Sequence, residues 1–148
     1  MKRYASSLVF PSLGKVYAAV DDWTLPLLRF VAGFNMAMHG WIHVNADMAE
    51  TAAYFSGEGF EPGLFWAYAV TLTEFAGGIM LAAGFLTRIA AVAIFLFLAT
   101  AVFHHMKNGF YWTDAGFEYP LMWAVVTLVF LVKGGGKLSI DNLLGKSF

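Results

Sequence analysis

Residues 64–86 read LFWAYAVTLTEFAGGIMLAAGFL, and Glu74 is the one charged residue among them. At about 1.5 Å per residue, a helix of this length crosses a hydrocarbon core of about 30 Å. Backbone polar groups in lipid must be bonded within their own segment, so a helix is the default. The period-2 alternation of a membrane barrel strand is absent.

Outward from this run, three more apolar stretches occupy residues 25–44, 89–106 and 117–133. The reading is an all-α, integral membrane four-transmembrane-helix bundle, a single domain over residues 1–148. The fourth stretch is the shortest and suits a locally thinner bilayer. Pro26 and Pro120 are placed in the first turns of their helices, where a missing N–H costs little. The run at residues 134–136, three glycines, ends the last helix. Composition agrees: 59% of the 148 residues are hydrophobic and 13% charged, against about 25% charged in a typical soluble domain. Mean hydropathy is +0.65. Such a chain is neither disordered nor a basic nucleic-acid-binding domain, and no nucleic-acid partner is expected. It has no cysteine, which excludes disulfides, thiol redox chemistry and thiolate-held metals.

Upstream of the first span, Leu13, Val16, Tyr17 and Val20 form one apolar stripe at helical spacing. Residues 12–22 therefore read as a short N-terminal interfacial helix, with a flexible tail as the competing reading. Pro11, Gly14 and Lys15 break the apolar run that a signal peptide needs. Orientation follows from the basic residues. Lys2, Arg3, Lys15, Arg29, Arg88, Lys133, Lys137 and Lys146 fall on one side, and Lys107 alone on the other. The positive-inside rule puts both termini in the cytoplasm of a multi-pass protein of the cytoplasmic (bacterial inner) membrane.

Ionisable groups inside spans are costly and are functional candidates by default. Glu74 lies about eleven residues into its span, roughly 16 Å deep. It is either a working group that is protonated, paired or beside water, or a structural bond between helices. Arg29 either snorkels to the interface or pairs with Glu74 or an anionic ligand group. His39 and His43 share a helix face at i, i+4. His104 and His105 end the third span, and Glu118 opens the fourth helix on the same side. Adjacent residues on a helix diverge, so His104 is the one expected to point inward. Convergence of these groups over Glu74 supports three readings. One is a metal site with His39, His43 and His104 as candidate ligands. A second is a proton-relaying quinone site, with Glu74, His39 and His104 as catalytic groups and Arg29 and Glu118 binding the ligand. The third is histidines that simply meet headgroups.

Several blocks carry a family pattern. They are Leu27-Leu28-Arg29 through His39-Gly40, then Thr73-Glu74-Phe75-Ala76-Gly77-Gly78 with Leu81, Gly84 and Leu86-Thr87-Arg88. Glu118-Tyr119-Pro120 and Gly136-Lys137-Leu138-Ser139-Ile140-Asp141 follow. With these the chain resembles the DoxX family of small four-helix membrane proteins. One departure is that the family often has a lysine where this chain has His43. The resemblance implies a cytoplasmic-membrane protein tied to redox or quinone chemistry and working with partner subunits. Relatives include a membrane subunit of an archaeal thiosulfate:quinone oxidoreductase and actinobacterial members of oxidative-stress complexes. Arg29, His39, Glu74 and Glu118 match family polar positions, whereas His104 comes from the spacing alone. The leading expectation is a quinone-interacting subunit of an oxidoreductase system, with the electron donor on a partner. Membrane lipids and a second copy of the chain are the other expected partners. A non-catalytic assembly subunit of a larger complex and a small-molecule permease are the alternatives.

Overall fold

A computed structural model describes residues 8–146; Lys2 and Arg3, used above for orientation, lie outside the described residues. The described chain is all helical, with no strand among the described residues. The helices are α1 (Gly14–Val44), α2 (Met48–Gly57), α3 (Gly63–Ala83), α4 (Thr87–His105), α5 (Glu118–Lys133) and α6 (Ile140–Leu143). Helix α1 packs along α3, α3 beside α4, and α4 beside α5, while α2 covers the start of α3. Two helical segments, Gly63–Ala83 and Thr87–Asn108, are long and apolar enough to cross a membrane. Of the other two expected spans, α5 has only 16 residues, and α1 carries Lys15, Asp21, Asp22 and Arg29 among its apolar residues.

The expected break between an interfacial helix and a first span does not occur. Helix α1 runs unbroken for 31 residues with Pro26 inside it, buried. Helix propagation adds one residue at a time to an existing nucleus, and Pro26 removes only one N–H from a long ladder. Helix α2 was not foreseen. Its signal is a capping pattern, with Asp47 accepting from the Ala49 amide at 2.7 Å and Glu50 in the first turn.

Glycines set the tightest packing. A Cβ on Gly33 would collide with the backbone of Ala82 and Gly78, one on Gly78 with Ala37 and Gly33, and one on Gly40 with Glu74 and Phe75. Helices α1 and α3 thus meet backbone to backbone, as small residues permit in membrane bundles. Helix α3 ends in a Schellman turn, with Gly84 left-handed at φ 70° and the Phe85 amide donating to Met80 O at 2.9 Å.

The block 136–141, strong in the sequence, is a structural clasp. Asp141 accepts from the Leu86 amide (2.7 Å), the Thr87 amide (2.9 Å) and the Thr87 hydroxyl (2.6 Å). It caps α4 from across the fold and satisfies donors that a helix start leaves open. Arg29, 4% exposed, donates to the carbonyls of Ala82 (3.4 Å), Leu138 (2.7 Å) and Gly135. The guanidinium ties α1 to the end of α3 and to the C-terminal segment. Burial raises the Asp141 carboxyl, but its bonds to Thr87 and Leu86 and the nearby Arg29 charge outweigh that and hold it below the usual range.

Two predictions follow from this packing. Gly78→Val is expected to destabilise the protein by about 3 kcal/mol through overpacking, read as a lower melting temperature in detergent. Asp141→Asn is expected to cost about 1–3 kcal/mol by setting an NH2 group against the donors of α4. Because the Asp141 pKa is lower folded than unfolded, its stabilisation is complete above about pH 4 and is lost as pH falls through the folded value. A melting-temperature profile taken down through that range should fall in the wild type and lose this contribution in Asp141→Asn.

Candidate functional site

The stripes facing each other across α3 and α4 do not close in the half of the bundle away from the clasp. Residues 66, 69, 70, 73 and 74 on α3 and 93, 96, 97, 100, 101 and 104 on α4 border a cavity of about 600 Å³. Both series follow the i, i+3, i+4 spacing of one helix face. Helix α2 and the turn after it add Tyr54, Phe55, Glu58 and Phe60, and α1 adds His43.

Glu74 lies on this cavity and is 6% exposed. Its Oε2 is buried and has no hydrogen-bond partner among the described residues. The nearest base is His43, with Nε2 3.5 Å from that oxygen, too long for a good hydrogen bond. At the mouth, the Glu58 carboxylate takes a bond from Lys107 Nζ at 2.8 Å and lies 3.4 Å from His104 Nε2. The Lys107 bond and charge hold Glu58 below the usual carboxylate range. Phe60 is the centre of the aromatic wall. Its ring meets Trp66 at 5.6 Å, Phe55 at 6.2 Å and the His104 imidazole at 5.8 Å, edge-on or tilted as aromatic quadrupoles prefer.

The expected cluster is therefore brought together only in part. Glu74, His43 and His104 border the cavity. His39 is exposed and stands outside the lining. The reason is register: the face of α1 turned to α3 runs through Arg29, Gly33, Met36 and Gly40. His43, three residues beyond Gly40, continues that row, whereas His39 is one residue off it, about 100° around the helix. The glycines carried this signal in the sequence. Glu118 does not reach Glu74 either. Its Oε2 accepts from the Trp112 amide at 3.1 Å and fastens the turn that precedes α5. Arg29 belongs to the clasp, about 16 Å along α1 from Gly40. His104 and His105 both touch the cavity, but His105 Nδ1 is engaged with Ala115 O at 2.8 Å, so His104 is the better-placed base. Among the described residues, no three His, Cys, Asp or Glu side chains are grouped to hold a metal ion. Glu58 and Phe60 were missed, because they are functional only through the fold of α2 over the bundle.

These features define an all-helical protein with two helices long and apolar enough to cross a membrane and an apolar, aromatic-walled cavity with the Glu74 carboxylate at its inner end. The DoxX family model matches residues 24–106, more than half of the chain, and the chain belongs to the DoxX family. It is also 33% identical over 66 residues to an uncharacterized protein of Haemophilus influenzae, a match covering 44% of each chain. The matched part is thus under half of that relative's length. No solved structure matches the chain.

A structural role and a working role for Glu74 predict opposite stability changes. An unbonded buried oxygen costs about 1–3 kcal/mol, so Glu74→Leu is expected to raise the melting temperature in detergent. A fall would mark Glu74 as a bond that holds the bundle.

Proposed function

We propose that this DoxX protein is a four-span subunit of the cytoplasmic membrane, both termini cytoplasmic, that binds a quinone in the α3–α4 cavity and exchanges protons with it. In this arrangement α1 and α5 join α3 and α4 as spans, and α5, at about 24 Å, sits where the bilayer thins. The observation that carries the reading is the buried, unbonded Oε2 of Glu74 at the inner end of an aromatic-walled cavity. A volume of about 600 Å³ lies within the usual range for small-molecule sites.

The residues present fit such a ligand. Phe55, Phe60, Trp66 and Phe97 offer flat apolar faces, and Glu74 offers an acceptor that a ligand hydroxyl or carbonyl-bound proton satisfies. A bound quinone would supply two-electron, two-proton redox chemistry, with the electrons delivered by a partner subunit. The protein's own part is proton handling. Glu74 Oε2 holds a proton in the apolar interior, and His43, 3.5 Å away, exchanges it. At the mouth, His104 and the part-exposed Glu58 connect the cavity with water. His39 and Glu118 have no part in this relay.

Protein purified from native membranes is expected to retain quinone, measured by extraction and mass spectrometry. Glu74→Gln should lower retention about tenfold, the scale of one hydrogen bond. Ala101→Phe, which fills the cavity, should abolish it while the protein stays folded. Undiminished retention in both variants overturns the proposal.

A further inference from the structure

The opposite pole of the bundle has a pocket of its own. Its volume is about 460 Å³, and it is bordered by the glycine run at 134–136 and by the start of α6. Four bases surround it, Arg88, Lys133, Lys137 and Lys146, against the single carboxylate of Asp141. That carboxylate is already taken by the Leu86 and Thr87 donors of α4. Lys133 and Lys146 form no ion pair among the described residues. Lys137 is held only by an exposed bridge to Asp22 at 2.7 Å, a kind of pair that is cheaply exchanged for another anion. The glycine loop, with Gly134 at φ 71° and Gly136 at φ 75°, borders the pocket between Lys133 and Lys137. Immediately beyond Asp141 and Asn142, Leu143 is 83% and Leu144 59% exposed.

We propose that this pocket seats the phosphate headgroup of an anionic phospholipid. The chemistry recognised is a phosphate, through three lysines, with the Arg88 charge beside them held by the carbonyls of Leu131 and Val132. The bare leucines of α6 beside it favour a lipid over free phosphate, since acyl chains at the membrane surface cover them. Anionic lipids of the cytoplasmic leaflet attract such juxtamembrane lysines. Positive residues on this side orient any membrane protein, but orientation alone does not require them to surround one pocket. The site is independent of the quinone cavity.

The test is native mass spectrometry of the full chain released from nanodiscs of mixed phosphatidylglycerol and phosphatidylcholine. The wild type should retain phosphatidylglycerol over phosphatidylcholine about tenfold, with the preference lost in Lys133→Gln/Lys146→Gln and kept in Lys133→Arg/Lys146→Arg. Glu74→Gln should leave it unchanged, which separates this site from the quinone reading. Equal retention of the two lipids, or an undiminished preference in the glutamine variant, overturns the site. Inorganic phosphate that protects the lysines from acylation as well as the lipid does, without any lipid preference, overturns the lipid as its source.

Discussion

Everything in this bundle is referred to the contact between the backbones of α1 and α3. Gly33, Gly40 and Gly78 let the two helices approach until main chain meets main chain. Helices held that close have little freedom to slide or rotate, so the residues that follow in register are fixed with them. Gly40 lies on the backbone of Glu74 and Phe75, and one turn further His43 faces the Glu74 carboxylate. The position of the lone interior acid is therefore set by glycines rather than by any bond to the acid itself.

The two ends of the molecule then solve opposite problems. At the clasp three strong polar groups are answered: Arg29 by carbonyls, Asp141 by amides and a hydroxyl, and Arg88 by the carbonyls at the end of α5, Leu131 at 3.1 Å and Val132 at 3.4 Å. At the cavity a carboxylate oxygen is left open and rings take the place of partners. A satisfied polar network rigidifies, and an unsatisfied buried group is costly unless something else completes it. The contrast separates a half whose buried polar groups are closed by the fold from a half whose interior leaves one open.

Much of this was legible in the sequence, and the failures have physical causes. The all-helical class, the DoxX membership and the isolation of Glu74 followed from long apolar runs and a distinctive polar pattern. The unbroken α1 was hidden because Pro26 reads as a start signal, while its local cost is outweighed by a long ladder. His39 was preferred to His43 because it matches a family polar position, and the i, i+4 spacing does not say which of the two adjoins a neighbour; the glycine row decides it. Arg29 and Glu118 read as ligand groups because sequence shows charge, not the carbonyls and amides that the fold delivers to it. Asp141 was recognised only as part of a motif, since its partners at residues 86 and 87 are distant in the chain. Phe60 and Glu58 gain their roles from α2, whose docking no local pattern announces.

The unbroken course of α1 has a mechanical side. Thirty-one residues make a rod about 46 Å long, against a hydrocarbon layer of about 30 Å. In the proposed four-span arrangement roughly ten residues stand outside the layer or force the rod to lean. With the helix continuous between its two ends, depth and tilt at one end carry to the other. Whatever grips its first turns, a headgroup at Lys15 or the Asp22 bridge to Lys137, also sets the height of His43 over the Glu74 carboxylate.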